Sequence, residues 1–208
     1  IRDRYKEVIN GLKAAHIMGY KPKYIGIDTW AVDYALLDKE DKLIGDIYAY
    51  RDSRTERAID GVHRIISFDE LYKRTGIQRQ PFNTIYQLYA DKISGRTDKA
   101  ENLLMLPDYL NFLLTGVKKQ EYTNATSTGL VNAQTHDWDG HILDLLGYNR
   151  KLFGGLSHPQ TVVGELKKEV QKEAGYSATV VLPATHDTAS AVEGIPFKLS
   201  LIHISEPT

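Results

Sequence analysis

The residues best suited to chemistry lie near the C-terminal end, where an apolar run meets His186, Asp187 and Thr188. Residues 179–182 have the apolar, β-branched composition of a buried strand, and the small residues 189–192 can begin a helix. Strand ends that open into helix N-termini are where α/β proteins place reactive groups. A carboxylate that faces an alcohol can accept the hydroxyl proton while a phosphoryl group is transferred to that alcohol. The stretch therefore predicts a phosphoryl-transfer site in which Asp187 is the base.

Asp187 also has a purely structural interpretation. An aspartate in front of Thr-Ala-Ser-Ala is a good helix N-cap, and a cap requires no chemistry. His186 and Thr188 place a hydrogen-bond donor and a hydroxyl beside the carboxylate, within reach of one small polar ligand. Position alone leaves the two interpretations open, and the two neighbours favour the ligand site slightly.

Three further polar segments could contribute to a site. Residues 28–33 follow a short apolar strand, although a turn with Trp30 in the core is the simpler interpretation. Residues 50–55 hold two arginines around an aspartate, which favours a structural salt-bridge knot over phosphate binding because no glycine-rich loop accompanies them. Residues 121–129 are rich in hydroxyl and amide groups, which is typical of a loop hydrogen-bonded to its own backbone. The sequence favours structural roles for the last two segments.

Composition excludes several classes of protein. The 208 residues include no cysteine, which removes disulfides, thiolate zinc sites and cysteine nucleophiles and suits a reducing cytoplasm. A net charge of −1 gives no field that would attract nucleic acid or an anionic membrane. No apolar run approaches the roughly 20 residues of a membrane span, and the N-terminus has no signal-peptide core. None of the seven histidines has metal-ligand spacing, and no phosphate-loop or dinucleotide-binding glycine motif is present.

The elements that must position these residues alternate between strands and helices. Apolar periodicity and cap residues predict helices over residues 1–18, 57–66, 68–75, 84–89, 107–114, 137–146 and 167–174. Short apolar runs predict strands over residues 24–28, 34–37, 43–48, 103–106 and 179–182. The second and third of these strands flank the polar turn 38–42 and are predicted to form a hairpin. The order indicates an α/β fold with a mixed sheet.

Segments that run in register along nearly the whole chain resemble the FGGY carbohydrate kinases, and within that family the rhamnulokinase subfamily. These segments are residues 25–33, 50–55, 80–88, 106–109, 114–116, 121–128 and 157–159, together with the stretch around Asp187.

The resemblance implies a ribonuclease H-like (actin-like ATPase) lobe with a mixed β-sheet and flanking helices, truncated at both ends. It implies transfer of the γ-phosphoryl group of ATP, with Mg²⁺, to the 1-hydroxyl of L-rhamnulose, and no nucleic-acid or membrane partner. It places the family's general base on Asp187. The substrate contacts it implies are Ala31, His186, Asp187 and Thr188, with Trp30, Phe82 and Asn83 as additional candidates. It places no nucleotide-binding residue and no metal ligand in this stretch.

Sequence features also bear on the substrate and on rival functions. The apolar residues 30–32 would suit the methyl end of a 6-deoxy sugar, and relatives often carry glycine where this chain has Ala31. Three rivals remain: a kinase for another ketose, a non-catalytic sugar-binding module, and a ribonuclease H-like nuclease that binds metal through Asp28, Asp33 and Asp187. The balance of 26 basic and 27 acidic residues provides no track for a phosphate backbone and counts against the nuclease.

The two ends of the chain give an expectation about its organisation. The chain begins inside a helical pattern without a methionine, and it breaks off after a strand-like run. We expect residues 1–198 to be an incomplete N-terminal carbohydrate kinase domain and residues 199–208 to be a non-native tail. The family's phosphate loop would then lie before Ile1 and its nucleotide lobe after Lys198, so we expect the fragment to be inactive alone.

Overall fold

The computed structural model describes residues 2–195. The helices are α1 (Arg2–Ile17), α2 (Glu56–His63), α3 (Phe68–Thr75), α4 (Thr84–Ile93), α5 (Leu106–Thr115), α6 (Tyr122–Thr126), α7 (Gly140–Leu145), α8 (Lys168–Ala174) and α9 (Asp187–Glu193). The strands are β1 (Tyr24–Ile25), β2 (Tyr34–Leu37), β3 (Asn102–Met105), β4 (Gln120–Glu121), β5 (Val131–Asn132), β6 (Asp137–Trp138), β7 (Leu156–Ser157), β8 (Val162–Glu165) and β9 (Thr179–Val181). The expected tail, residues 199–208, lies outside the described residues. No helix within the described range is both long and apolar enough to span a bilayer.

The sheet nearest the predicted site has three strands in the order β1-β9-β8. β1 runs parallel to β9 and β8 runs antiparallel to it, so the sheet is mixed as predicted. The predicted strand 24–28 pairs over only its first two residues. Pro183 explains the early end, because it lacks an N–H and its ring lies 3.3 Å from where a Cβ on Gly26 would stand. The chain leaves the carboxyl end of β9 and enters α9 at Asp187.

The predicted hairpin around residues 38–42 is only partly correct. The turn forms, because Asp38 Oδ1 accepts hydrogen bonds from the backbone N–H groups of Glu40 and Lys42. The second arm pairs only through an isolated bridge between Leu37 and Leu43. β2 instead pairs along its whole length with β3, antiparallel and with Tyr34 opposite Met105. The buried β2 gains more from β3, in which Leu103, Leu104 and Met105 are buried, than from the half-exposed residues that follow the turn.

Two main apolar clusters hold the elements together. The larger one joins β2 and β3 to the helices α2, α4 and α7 through Leu36, Leu103, Val62, Ile85 and Ile142, all of them buried. The second cluster packs α1 and α8 against β9. Each fully buried Leu, Ile or Val contributes about 1.5–3 kcal/mol relative to exposure, so these clusters fix the framework on which the site stands.

Helix ends follow the local signals in the sequence. α3 spans the predicted residues because the Ser67 hydroxyl accepts from Glu70 N–H at its start and Gly76 adopts φ 68° at its end. Gly116 ends α5 in the same way, with φ 79°. The predicted helix 137–146 is wrong in its first residues: Asp137–Trp138 form β6, and the helix begins after Asp139, whose carboxylate caps it.

The predicted salt-bridge knot within residues 51–55 is structural, as expected, but its partners are different. Asp52 accepts from Arg54 N–H and caps a short 3₁₀ turn. The guanidinium of Arg54 lies 4.0 Å from the ring centre of Tyr48, and its Nε lies 3.6 Å from Asp91 Oδ1. Asp91 is buried and also accepts from Tyr34 Oη and Arg96 Nη1, at 2.6 and 3.0 Å. The ion pairs therefore connect this loop to α4.

Candidate functional site

Two segments that are more than 150 residues apart in sequence meet at the end of the β1-β9 pair. Thr29 N–H donates to the carbonyl of Thr185 at 3.0 Å, and Asp187 N–H donates to the carbonyl of Thr29 at 2.9 Å. Thr29 and His186 thereby form an isolated parallel bridge. The polar residues that follow β1 and those that follow β9 stand side by side, at the strand ends where α/β proteins place ligands.

A cavity of about 570 Å³ opens beside this bridge. It contains five of the predicted site residues in its wall: Ala31, Phe82, Asn83, His186 and Thr188. Val32, next to Ala31 in the segment between β1 and β2, also lines it. The remaining wall comes from α3 and the loop after it, and from the end of α6: Tyr72, Gly76, Ile77, Gln78, Gln80, Thr126 and Ser127. The volume suits a small-molecule ligand, and the wall combines apolar surfaces with amide and hydroxyl groups.

Asp187 stands between two cavity-lining residues, at the exposed edge of the site, with 55% of its side chain accessible. Its Oδ1 accepts from Thr188 N–H at 2.7 Å and lies 3.6 Å from His186 Nε2. The N-cap interpretation of Asp187 is wrong, because His186 occupies the cap position and the first-turn amide of Ser190 donates to the His186 carbonyl. The Oδ1 atom of Asp187 thus bonds an amide in the first turn of α9, whereas its Oδ2 atom accepts no hydrogen bond from the residues that the structure describes.

A second cavity, of about 430 Å³, shares His186 and Thr188 with the first. Its other wall residues include Thr123, Pro159 and residues of α9. His186 and Thr188, which flank Asp187, thus lie between the two cavities. Asp187 itself lines neither cavity and stands between two residues that line both.

Asn83 and Phe82 line the main cavity from the start of α4. Asn83 is buried, and although it occupies the N-cap position of α4, its side chain makes no capping hydrogen bond. Its Oδ1 instead accepts from Gln80 N–H at 2.7 Å, and its Nδ2 donates to the carbonyl of Ser127 at 3.5 Å. The amide therefore connects two walls of the cavity.

Val32 is held in an unusual backbone conformation. Its φ is 68°, in the left-handed region that β-branched residues rarely adopt. Its carbonyl accepts from Thr84 Oγ1 at 2.9 Å and from Gln87 Nε2 at 3.1 Å. These bonds fix the Ala31-Val32 wall against α4, at a strain of about 1–3 kcal/mol.

Trp30 does not face the main cavity. Its ring lines a smaller space of about 170 Å³ together with Arg4, Asp33 and Tyr48. Trp30 Nε1 donates to Asp33 Oδ2 at 2.7 Å, and the Arg4 guanidinium lies 5.7 Å from the ring centre. Burial raises the pKa of the Asp33 carboxyl to about 6, although the Trp30 bond and the nearby positive charge of Arg54 oppose the shift.

The nuclease alternative required three carboxylates around a metal. Asp33 is buried against Trp30 instead, and within residues 2–195 no three histidine or acidic side chains come close enough to hold a metal ion. The geometry favours a site for an organic ligand.

The segment 121–128 contributes to the site in a way that its sequence did not indicate. It forms β4 and α6, and it is tied to Thr185 and His186 as well as to its own backbone. Glu121 accepts from two amides at the start of α6 and also from Thr185, which lies 64 residues away in the sequence. Only the three-dimensional structure shows that partner.

Comparisons with known proteins identify the family and the fold of this chain. Residues 2–194 match the N-terminal domain of the FGGY family of carbohydrate kinases. The chain is 50% identical to a rhamnulokinase from Oceanobacillus iheyensis and 47% identical to one from Halalkalibacterium halodurans, with 98% of this chain and 44% of each relative covered. The chain thus spans less than half the length of these relatives.

Solved structures of similar fold include a xylulose kinase from Rhodospirillum rubrum, with a TM-score of 0.80, 18% identity, and coverage of 91% of this chain and 40% of that one. A xylulose kinase from Lactobacillus acidophilus gives a TM-score of 0.78 at 21% identity, covering 88% of this chain and 38% of that one. The expected α/β fold of the actin-like ATPase class is confirmed. By the family match over residues 2–194, the chain belongs to the FGGY family of carbohydrate kinases.

Proposed function

We propose that this chain supplies the sugar-binding part of an ATP-dependent kinase that phosphorylates the 1-hydroxyl of L-rhamnulose, with Asp187 as the general base. The observation that carries the proposal is the bridge between Thr29 and His186, which places Ala31 and Thr188 in the wall of one cavity and Asp187 at its edge. Family membership and two relatives that are themselves rhamnulokinases support the reaction class. The absence of cysteine suits a cytoplasmic enzyme.

The chemistry of the base follows from its surroundings. An alcohol is a poor nucleophile because its proton is tightly held, and a positioned carboxylate contributes roughly 10²–10⁴ in rate. Asp187 Oδ1 is occupied by Thr188 N–H, while Oδ2 receives no hydrogen bond from residues 2–195. Oδ2 is then the oxygen that accepts the hydroxyl proton, from a sugar held in the main cavity. The second cavity, across His186 and Thr188, is the side from which a phosphoryl donor approaches.

The cavity wall supports a 6-deoxy ketose as the acceptor. Ile77, Phe82 and Val32 provide apolar surface, whereas Gln80 and Ser127 provide groups for sugar hydroxyls. A methyl group in an apolar pocket is worth about 1–3 kcal/mol of discrimination. The apolar wall that receives the methyl group includes Val32, as the sequence suggested, and adds residues from the loop after α3. Trp30 faces elsewhere.

Mg²⁺ would supply charge neutralisation for the phosphates of ATP. The side chains of residues 2–195 do not fit a protein-held ion, because they include no cluster of three potential ligands. We therefore assign no residue of this stretch to the metal. We expect ATP to be bound by the parts of the enzyme that correspond to the remaining 56% of the relatives' length.

Binding and turnover are tested separately. Calorimetric titration of the 208-residue chain with L-rhamnulose should show one site, and Asp187→Asn should change its affinity by less than about threefold because the amide keeps the shape of the side chain. For turnover, this chain replaces the matched 44% of the Oceanobacillus iheyensis rhamnulokinase. Asp187→Asn should then lower kcat by at least about 100-fold, whereas Asp60→Asn, an exposed aspartate on α2, should leave it unchanged.

Each outcome has a distinct meaning. Turnover that persists in Asp187→Asn overturns the assignment of the base. Tight binding of L-rhamnulose by a chimera without any kinase activity favours the non-catalytic sugar-binding module. A higher specificity constant for another ketose identifies the kinase but rejects the substrate.

A further inference from the structure

Glu121 is a fully buried carboxylate with an unusually complete set of partners. Its Oε1 accepts from Thr123 N–H at 2.8 Å. Its Oε2 accepts from Thr123 Oγ1 at 2.6 Å, Asn124 N–H at 3.1 Å, Thr185 N–H at 3.1 Å and Thr185 Oγ1 at 2.7 Å. All five groups are donors, and a buried anion requires that compensation to remain charged.

The partners of Glu121 hold the segment that carries the base. Thr185 N–H donates to Glu121, His186 N–H donates to Thr123 Oγ1 at 3.3 Å, and Asp187 N–H donates to the Thr29 carbonyl. Three consecutive amides are thus fixed by three different anchors. The Thr185 carbonyl also accepts from Asn124 Nδ2, at 3.2 Å. Only an isolated bridge to Thr29 continues the sheet here, so the side-chain bonds from Glu121, Thr123 and Asn124 share in setting the position of this segment.

Glu121 also positions the opposite wall of the cavity. It caps α6, whose C-terminal end brings Thr126 and Ser127 into the cavity wall. One carboxylate therefore determines where Asp187 stands relative to Ser127. The protein groups that surround a reacting sugar hydroxyl must lie within about 0.5 Å of their productive positions. A residue that anchors both walls of the cavity provides that precision.

We propose that Glu121 is a positioning residue for the phosphoryl-accepting site, acting through Thr185 on Asp187 and through α6 on the facing wall. The expected effect of Glu121 on catalysis rests on the proposed function, whereas its expected effect on the position of residues 185–187 does not. The role needs a carboxylate, because an amide at residue 121 would turn an N–H₂ group towards donors and leave at least one of them unpaired.

Asp108 is a second buried acidic residue that contacts Glu121. Its Oδ2 accepts from Glu121 N–H at 3.2 Å, and Asp108 is fully buried. Burial raises the pKa of Asp108 well above its ordinary value; the hydrogen bond from Glu121 N–H opposes this shift, and the nearby charge of Glu121 adds to it. The shift favours the uncharged form of Asp108, which lies next to the carboxylate on which the five donors converge.

The test compares Glu121→Gln and Thr185→Val with Asp139→Asn in the full 208-residue chain. Asp139 is a matched control: it is a buried N-capping carboxylate that also accepts five hydrogen bonds, from Arg74, Asn132 and the first turn of α7. We expect amide hydrogen exchange at residues 185–187 to accelerate about 10- to 100-fold in the first two variants. Asp139→Asn should leave exchange at these amides within about twofold of the parent chain.

Thr185→Val removes one hydroxyl donor and keeps Glu121, so it remains informative if Glu121→Gln does not fold. Unchanged exchange at residues 185–187 in the folded variants overturns the proposal, and so does equal acceleration in Asp139→Asn. In the chimera described above, Glu121→Gln should lower kcat by about tenfold or more while the KM for the ketose changes less than about threefold. An unchanged kcat in an active chimera rejects the catalytic role. An inactive parent chimera counts against the proposed function, while the exchange result still decides the positioning role.

Discussion

Substituting Asp33 should change how the stability of this protein depends on pH. Asp33 is 2% exposed. Its Oδ2 accepts from Trp30 Nε1, and its Oδ1 lacks a hydrogen-bond partner among the described residues. Because burial disfavours the charged form, the pKa of this carboxyl rises from 3.8 to about 6. Asp33→Asn keeps an acceptor for Trp30 and removes the ionisation.

The direction of the effect follows from proton linkage. The unfolded chain loses the Asp33 proton near pH 3.8 and the folded chain near pH 6, so the folded state binds more protons between these values. The stabilising contribution of the protonated carboxyl is complete below the unfolded pKa and is lost as the pH rises through 6. At about 1.4 kcal/mol per pKa unit, the full loss is about 3 kcal/mol, of which about 2 kcal/mol falls between pH 4.5 and 7.5.

The measurement is urea unfolding of both proteins at a series of pH values. The free energy of unfolding of Asp33→Asn minus that of the parent chain should increase by about 2 kcal/mol from pH 4.5 to 7.5. The asparagine N–H₂ group lowers the free energy of unfolding by an amount that does not depend on pH. The other carboxyl groups titrate equally in both proteins. The pH dependence of the difference in unfolding free energy therefore reports on Asp33 alone. Asp60→Asn, which removes an exposed carboxylate, should give a difference that varies much less. A flat difference for Asp33→Asn refutes the reasoning.

Three further predictions concern packing, charge and the cavity. Gly61→Ala should lower the free energy of unfolding in urea by about 1–3 kcal/mol, because its Cβ would lie 2.5 Å from Tyr89 Cε1; an unchanged midpoint contradicts this. Asp91→Asn should cost about 3–5 kcal/mol in the same assay, since it leaves the buried Arg96 charge without its carboxylate, and a loss below about 1 kcal/mol would contradict it. Ala31→Val should weaken the binding of L-rhamnulose, measured by calorimetry, about tenfold because the larger side chain narrows the main cavity. The urea midpoint should not change. Unchanged affinity would show that the sugar binds elsewhere.

The sequence predicted local features better than distant pairings. The bounds of α3 follow from Ser67 and Gly76, because a cap acts on residues within the same turn. The partner of β2 could not be read from the chain: the turn 38–42 indicated residues 43–48, whereas the buried strand Asn102–Met105 pairs with it. Strand pairing depends on burial across the whole domain, which periodicity alone does not contain.

The sequence also predicted the residues of the site only in part, because it does not show which cavity each residue faces. The resemblance to carbohydrate kinases pointed to Ala31, Phe82, His186 and Thr188, and the structure places all four in one cavity wall. Trp30 was expected to join Ala31 and Val32 in the apolar wall that receives the methyl end of the sugar, but it lies in a different cavity.

The predicted loop 121–129 shows why the positioning of a base is difficult to infer from sequence. Its hydroxyl and amide groups indicated a purely structural loop, whereas Thr126 and Ser127 line the main cavity and the Glu121 carboxylate bonds both a helix start and a distant strand end. In this fold the regular ladder between β1 and β9 stops before the reactive residues, because Pro183 cannot continue it. Beyond that point the chain is held by the isolated bridge between Thr29 and His186 and by side chains, and the strained Val32 is held by the side chains of Thr84 and Gln87. The apolar clusters therefore determine that the domain folds, whereas a few bonds outside the regular strands determine where its reactive groups stand.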